Sequence, residues 1–156
     1  MKKRLMIVCL FLCLAWTFFI FSRSAKSVTE SLEESGAALD ILSRILNFFG
    51  IQNTPSEHLV RKLGHFCEYA ILALPAFFAA GLLPTRFSPV FAFGYCAAVA
   101  CIDEFLVQNL SVGRGPSLID VLIDSAGAAT VVLVLVAWHF LRGRSGRCHE
   151  QVKSEE

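Results

Sequence analysis

Five carboxylic acids, one histidine and one glutamine lie inside stretches that are otherwise apolar enough to cross a bilayer. His65 and Glu68 fall in 63–83, Asp103, Glu104 and Gln108 in 89–110, and Asp120 and Asp124 in 118–141. A charged group at bilayer depth costs about 2.5–3.5 kcal/mol on insertion scales, so a chain that keeps this many is expected to use them or to pair them. An imidazole beside carboxylates can move protons. His65 with Glu68, Asp103 or Asp124 is therefore the candidate acid–base set. The flanking bases Arg61, Lys62 and Arg114 suit a phosphate, which a guanidinium fork matches well. A metal is not expected. His and carboxylates can hold one, but no HExxH or comparable ligand spacing is present.

The spacing places these groups on faces. Arg61, His65 and Glu68 stand at i, i+4 and i+7 of a helix, and Glu104 and Gln108 are four apart. Ser117, Asp120, Asp124 and Gly127 follow a 3-4-3 pattern along a further helix. Asp103 and Glu104 are adjacent, so on a regular helix they point about 100° apart and are not expected to face one partner. Ser117 and Asp120 are also suited to capping a helix, and Lys62 to reaching lipid headgroups. Asp124 lies about 10 Å below its helix start, too deep to cap; an alternative role for it is a structural pair with Arg61 or Arg114.

The elements that position them read as an all-α, polytopic membrane bundle of four transmembrane helices plus one amphipathic helix. Three would span if the first were a cleaved signal. The first apolar run, Leu5 to Phe21, follows a basic start and is read as a retained anchor over residues 1–22 in preference to a signal peptide. Residues 23–53 form an extracytoplasmic segment in which Val28, Leu32, Leu39, Leu42, Leu46 and Phe49 make a helical stripe ended at Gly50. The membrane domain is 54–141. Its first helix is expected to start at Thr54-Pro55 with Glu57 completing a capping box, and to kink near Pro75. The second is expected to start at Ser88-Pro89, with Ser88 as its cap and Pro89 at the first helical position. The third starts at Ser117 and ends before a polar tail, 142–156. Gly127-Ala128-Ala129 gives that third helix a small-residue surface.

Composition agrees with a membrane protein. The 156 residues are 55% hydrophobic with 14 Phe, and mean hydropathy is +0.60, beyond what a soluble domain of this length needs. A net charge of +1 gives no field for nucleic acid. The six Cys form no CxxC or Cys/His zinc spacing, and five lie in apolar segments as small hydrophobes. With both termini cytoplasmic, the inner side carries eight Lys and Arg and the outer side six of the 14, the positive-inside sense. Every polar residue above then falls in the outer leaflet, within about two turns of the interface. The expectation is one polar pocket open to the outside and closed toward the cytoplasm.

The run Lys62-x-x-His65-Phe66-x-Glu68-Tyr69, followed by Asp103-Glu104-x-x-x-Gln108, Arg114, Ser117, Asp120, Asp124 and Gly127, resembles the signature of the VanZ-like integral membrane proteins. The likeness covers about residues 61–130. It departs where a second glycine one turn after Gly127 is Val131. The resemblance implies a small bacterial cell-envelope membrane protein, and the family's namesake is associated with low-level teicoplanin resistance. Three functions follow. The first is binding of an anionic envelope lipid or lipid-linked cell-wall precursor by Arg61, Lys62, His65, Glu68, Asp103, Glu104, Gln108, Arg114, Ser117, Asp120 and Asp124. The second is an intramembrane enzyme acting on such a lipid, and the third a structural accessory. The bilayer is the expected partner. No cofactor is expected, and the oligomeric state is open.

Overall fold

The computed structural model describes residues 2–26, 28–48, 50, 55–82, 87–110 and 115–154, with side chains described outside 28–35 and 143–154. Five helices follow one another: α1 (Lys2–Ser24), α2 (Val28–Phe48), α3 (Glu57–Gly81), α4 (Ser88–Ile102) and α5 (Leu118–Ser154). No strand occurs among the described residues. Four stretches are long and apolar enough to cross a membrane: Lys2–Ser24, Glu57–Gly81, Ser88–Leu110 and Leu118–Arg142. The protein is a multi-pass, all-α membrane bundle.

α3 is the hub. Its largest interface is with α5, and it also packs against α1, α2 and α4, while α4 closes on α5. The core is built mainly from small and aromatic side chains: Tyr69, Ala73, Ala76, Phe77 and Ala80 of α3, Ala92, Cys96 and Ala100 of α4, Ala128 of α5, and Cys13 and Ile20 of α1. Lipid tails are as apolar as leucine, so helices gain little by burying leucine from lipid. They gain by close van der Waals approach, which small residues permit. The large side chains turn outward, Phe18 at 75% exposure and Leu133 at 67%, as a lipid-facing surface requires.

Polar bonds join α1 to the bundle. The Trp16 indole N–H donates to the Glu68 carbonyl at 2.8 Å, and the hydroxyls of Thr17 and Tyr95 are 2.9 Å apart. α2 leaves Leu39, Leu42 and Leu46 half-buried, the described part of the stripe expected from the sequence; Phe49 and the side chains of Val28 and Leu32 lie outside the described residues. Ile41, Ile45 and Phe48 form a second, exposed apolar row. Gly50 follows α2 with φ 76°, a left-handed conformation that favours glycine, and its N–H donates to the Asn47 carbonyl at 3.0 Å.

Three boundaries differ from the sequence expectation. α3 starts at Glu57, not Thr54. Ser56 is extended (φ −70°, ψ 149°) and its hydroxyl accepts from the Leu59 N–H, so Pro55 precedes the cap instead of following it; Thr54 lies outside the described residues. Ser88 is the first residue of α4, not its cap. α5 continues through the basic tail to Ser154, because Gly143 and Gly146 lower helix propensity without ending a helix already nucleated over its apolar length.

Candidate functional site

The last two turns of the third span depart from an α-helix. After Ile102 the backbone widens into a π-helical segment, Asp103–Val107, then tightens into a 3-10 turn, Gln108–Leu110. The Gln108 N–H reaches the Asp103 carbonyl five residues back. π segments interrupt α-helices most often at functional positions. Here the wider turn changes which side chains meet. The Gln108 amide donates to Asp103 Oδ2 at 3.3 Å and also to Glu104 Oε2. The expectation that Asp103 and Glu104 cannot share a partner is therefore corrected: it assumed regular 100° steps, and the π turn removes them.

All three members of this turn are buried, Asp103 at 0% exposure, Glu104 at 1% and Gln108 at 6%. α1 supplies a further bond, from the Ser24 hydroxyl to Asp103 Oδ2 at 2.7 Å. α5 supplies another, from the Ser117 N–H to Glu104 Oε1 at 2.7 Å. Ser117 also caps α5, since its hydroxyl accepts from the Asp120 N–H at 3.3 Å. It thus fixes the start of α5 against the acidic turn of the third span.

α3 faces this turn with its own polar row. Lys62 donates to Asp120 Oδ1 at 2.7 Å, and Glu68 pairs with Arg23 of α1 at 2.9 Å. His65 Nδ1 stands 3.6 Å from Asp124 Oδ1. Asp124 therefore lies beside His65, not beside Arg61. It is fully buried, and neither carboxylate oxygen receives a hydrogen bond among the described residues. The hydroxyl of the fully buried Tyr69 is in the same position. Arg61 is half-buried and makes no ion pair among the described residues. Arg114 lies outside the described residues.

Gly127 sets the separation. A Cβ built on it would overlap the carbonyl oxygen of Phe66. α5 thus touches the α3 backbone next to His65, one turn from Asp124. The four spans together place Ser24, His65, Glu68, Asp103, Glu104, Gln108, Asp120 and Asp124 at one end of the bundle. Toward the opposite end, between α1, α3 and α4, runs an apolar groove of about 360 Å³ lined by Leu10, Ala76, Ala80, Phe91 and neighbours.

The polar residues of α3, α4 and α5 are brought together as their spacing suggested. The contributions of α1, Arg23 and Ser24, are absent from the sequence-based set, because a serine and an arginine after an apolar run look like ordinary flanks. Tyr69, three positions after Phe66, carried no signal of its own beyond the motif.

A family model, VanZ/LLP1, matches residues 9–140. The chain belongs to the VanZ/LLP1 family. The match takes in α1 and α2 as well as the 61–130 stretch that carries the motif, and so includes the helix that supplies Arg23 and Ser24. Neither a curated protein nor a solved structure matches the chain. In this VanZ/LLP1 member Lys62, Asp103, Glu104, Gln108, Ser117 and Asp120 are linked by hydrogen bonds, joined by Ser24 of α1, and Asp124 lies buried beside His65.

Proposed function

We propose that this VanZ-like protein binds an anionic cell-envelope lipid, or a lipid-linked cell-wall precursor, at the polar end of its bundle. We take that end to face outward, in line with the positive-inside bias. The observation that carries the reading is the layering of charge. Asp103, Glu104 and Asp124 are buried, while Arg61 and Lys62 sit half-buried above them on the first turns of α3. Lys62 already serves Asp120. Arg61 has no acidic partner among the described residues, which suits it to a phosphate at the headgroup level. Arg114, in the adjoining loop, would be the second phosphate ligand. The acids beneath would orient the bases or accept from hydroxyls and amines of the headgroup. The link to glycopeptide resistance belongs to the same reading, because a precursor held at this site would change what teicoplanin meets.

The test is native mass spectrometry of the purified protein, followed by teicoplanin susceptibility of cells expressing it. Retention of an anionic lipid that falls with Arg61→Ala and with Arg114→Ala supports the reading. No retained lipid, with full function of both variants in a null background, contradicts it.

A second reading is favoured by the His65–Asp124 approach at 3.6 Å. A carboxylate beside an imidazole can hold its tautomer and stabilise its charged form, as an acid–base enzyme needs. The substrate would again be a lipid-linked precursor. Turnover of such a precursor by wild type, lost in His65→Gln, would select this reading over simple binding.

A further inference from the structure

We propose that His65, Asp103 and Asp124 form a site for one divalent transition-metal ion, of which Mn2+ is the probe. One donor atom from each of the three residues lies within 4.8 Å of the others. They come from α3, the π turn and α5, so no spacing along the chain could have displayed them. Three donors at about 2.1 Å from one cation stand about 3–3.6 Å apart, so the site closes by up to about 1 Å on binding, within the reach of side-chain torsions.

Proximity of acids alone would not make a site. The independent observation is Asp124: fully buried, with both oxygens lacking a hydrogen bond among the described residues. The fully buried Tyr69 hydroxyl, one turn from His65 on α3, also lacks one among the described residues. A buried carboxylate that receives no hydrogen bond, with only an imidazole 3.6 Å away, is among the least favourable groups in a protein. The neighbouring cations are committed, Lys62 to Asp120 and Arg23 to Glu68. A dication against Asp103, Asp124 and a neutral imidazole leaves the centre uncharged. Ser24 and Gln108 both donate to one oxygen of Asp103, fixing its rotation as outer partners fix ligand carboxylates.

The donor set defines the ion. One imidazole nitrogen with two carboxylate oxygens suits Mn2+ or Zn2+, whereas Mg2+ and Ca2+ prefer all-oxygen shells. A ligand oxygen would complete the coordination. The phosphate of the lipid proposed above could take an open position, but the metal site does not depend on that lipid.

The experiment uses the full chain, purified in detergent, stripped with chelator and titrated with Mn2+. Free Mn2+ is read by its six-line electron paramagnetic resonance signal. Mn2+ avoids thiolates, which keeps the exposed Cys67 and Cys101 out of the measurement. One equivalent bound, weakened at least tenfold in both Asp124→Asn and His65→Gln and unchanged in Glu57→Gln, is the expected result. Circular dichroism and elution volume show which variants are folded; His65 is only partly buried, so His65→Gln serves should Asp124→Asn not fold. Less than a tenth of an equivalent, or binding that ignores both substitutions, overturns the proposal. Lipid retention is measured separately on metal-free protein, so either reading can fail alone.

Discussion

Gly127 of α5 rests on the backbone of α3 at Phe66, close enough that a Cβ would overlap the Phe66 carbonyl oxygen. A carbonyl within a helix cannot rotate away as a side chain can. Two effects oppose each other in Gly127→Ala: helix propensity gains about 1 kcal/mol, and overpacking costs about 1–3 kcal/mol. The obstruction is backbone, so overpacking wins and the thermal midpoint in detergent falls. Gly94→Ala is the control. Nothing lies within 4 Å of a Cβ there, so the midpoint holds or rises.

Two neighbouring residues of α1 are expected to differ in weight. Ser24 is buried and donates to the buried Asp103. A hydrogen bond to a charged group contributes about 1.5–3 kcal/mol, and Ser24→Ala loses it. Arg23 pairs with Glu68 from a side chain 41% exposed, where ion pairs are worth about 0–1 kcal/mol. Chemical unfolding should rank Ser24→Ala as clearly the more destabilised of the two.

Gln108 satisfies two carboxylates with one amide. Gln108→Leu keeps most of the volume but leaves Asp103 and Glu104 short of a donor, a loss of about 3 kcal/mol by the scale for broken buried charge networks. Asn109→Ala next to it, at an exposed position, should change stability by no more than about 0.5 kcal/mol. Equal effects of the two would mean that the π turn is not held by Gln108.

The spans were legible because apolar runs of this length have few other uses, and Ser, Pro and Gly punctuate them. The ends were less so. Ser56 and Thr54 are both good caps, and spacing to Glu57 favoured the wrong one. The polar tail from Arg142 read as the end of the last helix, yet α5 carries on to Ser154. The site was legible where charges interrupt an apolar run, at His65, Glu68, Asp103, Glu104, Asp120 and Asp124. It was not legible where the decisive feature was a backbone irregularity, because a π turn leaves no periodic trace in the hydrophobic pattern. Ser24 and Arg23 were hidden for a different reason: a polar residue at the end of a span satisfies the interface without needing a partner.

The outward placement of the polar end is the claim on which the lipid reading stands, and thiol labelling in intact cells tests it most directly. In a background with the six native cysteines replaced, single cysteines are placed at 61, 86, 114 and 145. A membrane-impermeant maleimide should label positions 61 and 114 and spare 86 and 145 until the cells are opened. Labelling of 86 and 145 in intact cells, with 61 and 114 protected, would put the polar end in the cytoplasm and contradict the account.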